Sequence, residues 1–335
     1  MTVHTMALHA VDDLSDAYRA TRAFLFPIEW GRWLRLALLS VFVAGTSGGG
    51  APSGNVQMPF NGGTTPGQTP GGDLTMDQLG ALLSQHLGVI ALVALVGLLV
   101  LLVVQWLAAT FEFAFLESLR TDEVRVRRYV SAFQGLGTRL FAFRLVFGLL
   151  TLLIVGTVLL LTLGPILAGV APGGPLLVLL LVMPVLLVFG ILGSIVYVFT
   201  TAFVAPIMLL ENRGVISAWK RFWGVFKAAW KDFLVYLLVG LFLMIGIGIV
   251  VGIAMAVIGI AVALPVVAVL IAAGPLWAGL LAIPFAIVGI VAWALVQVPV
   301  QTYLRYWALL VLGDVEPELD LISEQRQAVR GETPS

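Results

Sequence analysis

The chain has 335 residues, of which 60% are hydrophobic and only 11% are charged, and its 18 basic residues balance its 18 acidic ones. Soluble domains average about half apolar and about a quarter charged residues, so this composition predicts an all-α integral membrane protein. The zero net charge argues against a nucleic-acid partner. The absence of cysteine excludes disulfides, thiolate catalysis and Cys-ligated metal, and we expect no cofactor.

Residues 1–31 are predicted to form a cytoplasmic N-terminus that carries an amphipathic helix over residues 11–28. Apolar residues recur there at helical spacing, a pattern typical of a helix lying in the membrane interface. The first crossing, about Trp33 to Ser47, is short for a full span. It also resembles the apolar region of a signal peptide, and cleavage there would leave five crossings. The predicted apolar face of the N-terminal helix is Val11, Leu14, Tyr18, Thr21, Leu25 and Ile28.

A Gly- and Pro-rich stretch at 45–72 predicts a flexible outer loop after the first crossing. Five further apolar stretches then follow, each of roughly 20 residues or more, which is the length a transmembrane helix needs. The sequence therefore predicts six crossings. The later five begin near Leu87, Leu145, Leu176, Phe233 and Pro275.

The basic residues predict the topology. All 18 Lys and Arg residues fall in four clusters separated by long apolar stretches without any. Basic residues near helix ends stay on the cytoplasmic side, so three out-and-back excursions across the cell membrane leave both termini in the cytoplasm. Hairpin 1 then occupies 32–119, amphipathic elbows with hairpins 2 and 3 occupy 120–212 and 213–312, and a partly disordered cytoplasmic tail is expected at 313–335.

The fourth and sixth crossings share landmarks that indicate an internal repeat. Each opens with a Gly-Pro pair, has a second proline nine residues later, and carries a threonine further along. Proline in a first helical turn sacrifices no hydrogen bond, whereas the later proline kinks each helix at a matching depth. With the amphipathic segments, the pattern predicts three tandem elbow-plus-hairpin units. The landmarks are Pro175, Pro184 and Thr201 in one crossing, and Pro275, Pro284 and Thr302 in the other.

The elbow before the third hairpin has the clearest composition. Trp and Phe recur at helical spacing over residues 219–233, with basic residues beside them, as in helices that lie in the headgroup plane. The first interpretation of these basic residues is that they set the topology. Contact with anionic lipid headgroups is a second role. The candidate headgroup contacts are Lys220, Arg221, Lys227 and Lys231.

The elbow Ser217-Ala218-Trp219-Lys220-Arg221-Phe222-Trp223 before an apolar hairpin resembles six-helix membrane proteins related to the membrane domain of glycerophosphodiester phosphodiesterases. The segments at 20–25 and 33–38, with the Gly-rich first outer loop, are similar to an uncharacterised archaeal branch of such proteins. The resemblance covers most of the chain and implies a six-helix fold. It implies no catalytic residues, because no soluble phosphodiesterase domain follows the helices.

A stripe of polar side chains lies inside two of the predicted crossings. Alignment of the repeats places Glu112 at the depth of Arg305. An ionisable residue inside a span is costly and marks a functional site by default, but the same groups could simply satisfy one another and hold the hairpins in register. The candidate polar cluster is Gln105 and Glu112 on the second crossing, with Gln297, Gln301 and Arg305 on the sixth.

The leading functional hypothesis is non-enzymatic: a membrane-organising or accessory subunit that interacts with lipids, with a partner membrane protein or with a second copy of itself. The first alternative is a transporter or channel for a small polar solute or ion, lined by the polar cluster. The second alternative is an intramembrane lipid-handling enzyme. The sequence offers no recognisable catalytic, cofactor-binding or metal-binding residues in support of an enzyme.

Overall fold

The computed structural model describes residues 9–47, 76–167 and 174–331, so most of the predicted outer loop at 45–72 lies outside the described residues. Every regular element in these ranges is helical, as predicted. A π-helical turn at Thr200–Val204 joins α5 to α6, and a 3-10 turn at Pro317–Leu319 precedes α10. The helices are α1 (His9–Leu25), α2 (Trp30–Ser47), α3 (Met76–Thr121), α4 (Val126–Leu167), α5 (Gly174–Phe199), α6 (Ala205–Glu211), α7 (Val215–Ala228), α8 (Trp230–Ala273), α9 (Pro275–Val315) and α10 (Ser323–Arg330).

Five helical segments in the described ranges are long and apolar enough to cross a membrane, and they correspond to five of the six predicted crossings. The helix α2, which corresponds to the first predicted crossing, is not one of them. Its 18 residues include Arg32 and Arg35 near its start, which shortens an already short apolar segment. The five segments are His86–Thr121, Val126–Thr162, Val182–Glu211, Trp230–Ala273 and Pro275–Val315.

The long helices have a packed half and an exposed half. In the packed half, α3 buries most residues from Ala108 to Leu119, and α9 buries most residues from Val298 to Leu312. Further along, large apolar side chains are exposed, as at Leu92, where 61% of the surface is accessible. Because a continuous apolar surface of this kind is unfavourable in water, the exposed half is suited to a hydrocarbon environment.

All four clusters of basic residues lie at the packed end of the molecule. There residues 318–330 contact the beginning of α1, the end of α3 and α7. The four clusters are therefore on one side of the exposed apolar half, as the topology argument requires. The joining contacts are Arg330 to Asp13 at 2.8 Å, the Gln325 side chain to the Arg120 carbonyl at 2.6 Å, and Arg221 to Glu318 at 2.9 Å.

Neighbouring helices in sequence pack together, and the first and last long helices also meet. The helix α2 packs against both α3 and α9, while α3 packs on α4 and α8 on α9. The helix α1 lies against α9 and also contacts α10. The chain ends therefore close the packed half, because α9 and α10 are held by the two N-terminal helices.

The helix α1 differs from its prediction in its bounds. It ends at Leu25, because Pro27 lacks an N–H and disfavours helical geometry in the residue before it. Val11, Tyr18 and Ile28 of the predicted apolar face are exposed, and the interfacial position of that face stays a prediction. The side turned to the bundle includes two carboxylates that pair with Arg330. The buried residues of α1 are Asp13, Asp16, Ala17, Ala20, Thr21, Phe24 and Leu25.

The C-terminal tail is folded as far as Gly331, so the expectation of partial disorder was wrong for residues 314–331. Leu319, Leu321 and Ile322 are buried against the bundle, and α10 follows them. The tail is hydrophilic in sequence, a composition typical of disorder. It is ordered because it forms ion pairs with distant residues, which local composition does not reveal.

Candidate functional site

A buried ion cluster joins four of the five membrane-length segments. Glu112 on α3 is fully buried, and its carboxylate pairs with Arg305 on α9 and, at 3.5 Å, with Arg144 on α4. Arg305 donates to the carbonyl oxygen of Thr201 at 2.5 Å, and Arg144 donates to the Thr201 hydroxyl at 3.3 Å. Because two guanidinium groups share one carboxylate, these side chains together carry one surplus positive charge.

The π-helical turn after α5 supplies the carbonyl acceptor of this cluster. The N–H of Ala205 donates to the carbonyl of Thr200, five residues back, instead of to Thr201. The next residue, Pro206, has no N–H to donate. The Thr201 carbonyl therefore lacks a helical donor, and Arg305 fills that vacancy. Widened turns of this kind are frequent at functional sites.

The cluster lies at the boundary between the packed and exposed halves. Glu112 is nine residues before the end of α3 at Thr121, or about 13 Å along the helix. Beyond it, Val104 on α3 and Val146 on α4 are both exposed. At such a depth the charges need one another, since loss of one partner from a buried ion pair costs about 3–5 kcal/mol.

The five predicted polar residues have different surroundings in the structure. Glu112 and Arg305, for which the repeat alignment predicted a common depth, are in direct contact. Gln301 is buried one helical turn before Arg305, whereas Gln105 and Gln297 are half-buried. The structure thus brings together the charged members of the candidate cluster, and a functional role for any of the five residues stays a prediction.

Sequence reasoning missed Arg144, which was assigned to a topology cluster. Its side chain is 11% exposed, and its guanidinium lies 5.3 Å from the ring centroid of Tyr197. The sequence contains one usable signal: Arg144 stands between Phe143 and Leu145, inside the apolar part of α4. An arginine in that position needs a buried partner, and Glu112 supplies it.

The four candidate headgroup contacts separate into two groups. Arg221 forms ion pairs with Glu318 at 2.9 Å and with Glu316 at 3.6 Å, so it stabilises the folded tail. Lys220, Lys227 and Lys231 are exposed and form no ion pair with any residue in the described ranges. The three lysines remain available to an external anion.

Two tryptophans accompany these lysines. The Lys227 ammonium lies 5.8 Å from the ring centroid of Trp223, and the Lys231 ammonium lies 6.0 Å from that of Trp230. Both tryptophans are about half exposed. The predicted single stripe over 219–233 was wrong, because α7 ends before Ala229 and α8 begins after it. Trp and Lys outside an apolar bundle are typical of a membrane interface.

A second ionic network holds the tail at the packed end. Arg330 binds three carboxylates, and two of them, Asp13 and Asp16, are buried. Burial and the negative charge of Asp314 raise the pKa of Asp13 and Arg330 lowers it, with a net rise to about 8. Arg326 forms additional ion pairs beside it. The pairs are Arg330 with Asp13, Asp16 and Asp314, each at 2.8 Å, and Arg326 with Asp314 at 2.9 Å and Asp320 at 3.0 Å.

Two cavities open at the packed end. One, of about 510 Å³, lies between the end of α3 and the tail. The other, of about 240 Å³, lies between α4 and the end of α6. In the described part of the chain, no three His, Asp or Glu side chains are arranged to hold a metal ion.

The fold defines an all-helical protein with five segments suited to crossing a membrane and a buried ion cluster between them. The chain belongs to a family of unknown function (DUF7544), which it matches over residues 8–322. No curated protein and no solved structure matches it. The family match does not connect the chain to glycerophosphodiester phosphodiesterases, so that resemblance stays a prediction.

Proposed function

We propose that this chain is a non-enzymatic membrane protein that organises lipid or supports a partner membrane protein. The observation that carries the proposal is the division of the long helices. Their packed half is held by ion networks and aromatic contacts, while the apolar residues of the other half are largely exposed within the chain itself. An exposed apolar half of this size offers surface to lipid tails or to the helices of another protein.

We also propose that α2 is a sixth span and that three hairpins repeat about an axis along the membrane normal. The adjacent pairs α2/α3, α4/α5 and α8/α9 are in contact. The helices α5 and α9 begin at corresponding Gly-Pro pairs and contain Pro184 and Pro284 at corresponding positions. The basic clusters at the packed end support a cytoplasmic location of both termini in this arrangement.

A pathway for a small anion is the second candidate function, and the surplus positive charge of the Glu112 cluster favours it. Two arginines and one carboxylate at the boundary of the apolar half would attract an anion more strongly than a cation. The leading proposal instead treats the cluster as an interhelical bond that fixes the relative positions of α3, α4 and α9.

Two variants distinguish the candidates in vesicles containing the purified protein. Glu112→Gln removes the shared carboxylate, and Gln301→Leu removes a buried polar group near Arg305. If the cluster is structural, Glu112→Gln lowers thermal stability and Gln301→Leu leaves function intact. If the cluster lines a pathway, both variants abolish anion flux while the fold survives. Thr151→Val, at a half-buried position on α4 outside the predicted polar cluster, is the control.

The organising function is tested by native mass spectrometry of the protein released gently from its own membrane. A stoichiometric protein partner or a retained set of lipids supports the proposal. A bare chain that catalyses turnover of a membrane lipid contradicts it, because turnover would assign the protein to lipid-handling enzymes.

A further inference from the structure

The cavity between α4 and the end of α6 contains a cation without an internal partner. Arg139 lines this space of about 240 Å³. It is exposed, and it makes no hydrogen bond or ion pair with any described residue. Arginines that line the packed end elsewhere, such as Arg221 and Arg330, are paired with carboxylates. Arg139 is therefore positioned to bind a ligand from outside the chain.

The rest of the cavity lining supports an anionic ligand. No carboxylate lines the cavity, and its other polar side chain is the amide of Asn212 at the end of α6. The remaining walls are apolar or small, so Arg139 is the charged group of the lining. A guanidinium in such a setting binds phosphate oxygens with two parallel hydrogen bonds. The apolar and small lining residues are Ala132, Phe133, Gly135, Leu136 and Leu209.

The surface of α4 continues from this cavity into the exposed apolar half. Ala142 and Val146 follow Arg139 on the same side of the helix, at spacings of three and seven residues, and both are exposed. Leu149, Leu150 and Leu153 extend this exposed apolar face by more than one further turn. A molecule with its anionic group at Arg139 therefore has an apolar track for a hydrocarbon chain directly beside it.

We propose that the cavity between α4 and α6 binds the phosphate group of an anionic phospholipid, with Arg139 as its ligand and the acyl chains along α4. A volume of about 240 Å³ accommodates a phosphate and adjoining glycerol atoms but not a whole lipid, so the chains must lie outside it. This inference deepens the proposed function. It rests on one part of that function, the position of the chain in a bilayer. It differs from diffuse attraction to the three exposed lysines, because one side chain and one cavity define it.

The test uses full-length protein in nanodiscs of phosphatidylcholine with a minor fraction of phosphatidylglycerol, followed by native mass spectrometry of the retained lipids. Arg139→Gln should reduce retained phosphatidylglycerol about tenfold or more relative to phosphatidylcholine. Arg128→Gln, which changes an exposed arginine of the same helix outside the cavity, is the matched control and should retain it.

A second variant blocks the cavity without changing charge. A Cβ atom at Gly135 would have no atom within 4 Å, so Gly135→Leu can enter the cavity and leave the helix intact. It should reduce phosphatidylglycerol retention as Arg139→Gln does. Equal retention in the wild type, Arg139→Gln and Arg128→Gln would overturn the proposal.

The remaining arm separates a lipid from free phosphate. Inorganic phosphate at millimolar concentration should not displace the retained lipid, because it lacks the contacts of the acyl chains with α4. Full displacement would assign the cavity to a soluble anion and overturn the lipid proposal. Partner capture and anion flux through the Glu112 cluster are measured separately, so failure of the proposed function would be recognised independently of this site.

Discussion

The close approach of α3 and α4 at Gly137 makes a sharp prediction about the ion cluster. A Cβ atom on Gly137 would lie 2.3 Å from the Thr110 hydroxyl oxygen and 2.8 Å from its Cα atom. The hydroxyl can rotate away, but the Cα atom belongs to the backbone. Carbon atoms in contact are about 3.5–4.0 Å apart, so Gly137→Ala must separate the two helices locally by about 1 Å.

This separation affects the site because both helices carry members of the cluster. Glu112 is two residues after Thr110, and its contact with Arg144 is already 3.5 Å. Overpacking of this kind costs about 1–3 kcal/mol, and the better helix propensity of Ala returns about 0.5–1 kcal/mol. We therefore expect Gly137→Ala to lower the free energy of unfolding by about 1–2 kcal/mol.

The assay is an SDS titration of the protein in mixed micelles, with helix content followed by circular dichroism. The matched control is Gly135→Ala, on the same helix, where a Cβ atom meets nothing within 4 Å. The free energy of unfolding of that variant should be unchanged or higher by up to about 1 kcal/mol. Equal stability of the two variants would refute the close approach of α3 and α4.

Three further predictions concern the packed end. Gly313→Ala places a Cβ atom 1.6 Å from the Arg326 guanidinium and should loosen α10. Limited proteolysis of the tail should then be faster. Gly279→Ala, with open space around it, should leave the proteolysis rate unchanged. The pKa of Asp13 is raised from 3.8 to about 8 in the folded protein, so the folded state binds a proton more tightly. Stability should therefore fall as pH rises between about 4 and 8, and Asp13→Asn should flatten this dependence in thermal unfolding. Phe203→Ala removes a fully buried ring and should cost about 3–5 kcal/mol in the same titration; a loss below about 1 kcal/mol would contradict the burial of that ring.

How far sequence reasoning reached can be judged from the charged residues. The pairing of Glu112 with Arg305 was predictable, because each lies on a long apolar helix and the repeat alignment gave their relative depth. The partner Arg144 was not predicted, since its contact depends on how closely α4 approaches α3 at Gly137. A spacing pattern describes one helix at a time and contains no information on that approach.

The N-terminal helix shows the same limit from the opposite direction. Hydrophobic periodicity placed Val11 and Tyr18 on an apolar face in the membrane interface, but it did not predict that the bundle covers Asp13 and Asp16. Periodicity assumes that charged side chains face water. Here Arg330, more than 300 positions away in the chain, pairs with both carboxylates and makes their burial tolerable.

The vacancy left by Pro206 connects local backbone geometry to the ion cluster, and a double-mutant cycle can measure that connection. Arg305→Gln should be strongly destabilising in the wild-type background, because it leaves the Thr201 carbonyl without its donor and Glu112 with the longer contact to Arg144. Pro206→Ala restores an N–H five residues after Thr201, the donor position that a π-helical turn uses. In that background Arg305→Gln should cost less, with a coupling energy of about 0.5–3 kcal/mol.

Pro184→Ala is the control for this cycle, since Pro184 lies on α5 about 25 Å from Thr201 along the helix. The losses in the free energy of unfolding caused by Pro184→Ala and by Arg305→Gln should add. If Pro206→Ala and Arg305→Gln are also additive, Arg305 does not replace a missing backbone donor. The ion pair with Glu112 would then hold the arginine without help from a vacant carbonyl, and the π-helical turn would have to be explained by the packing of α5 and α6.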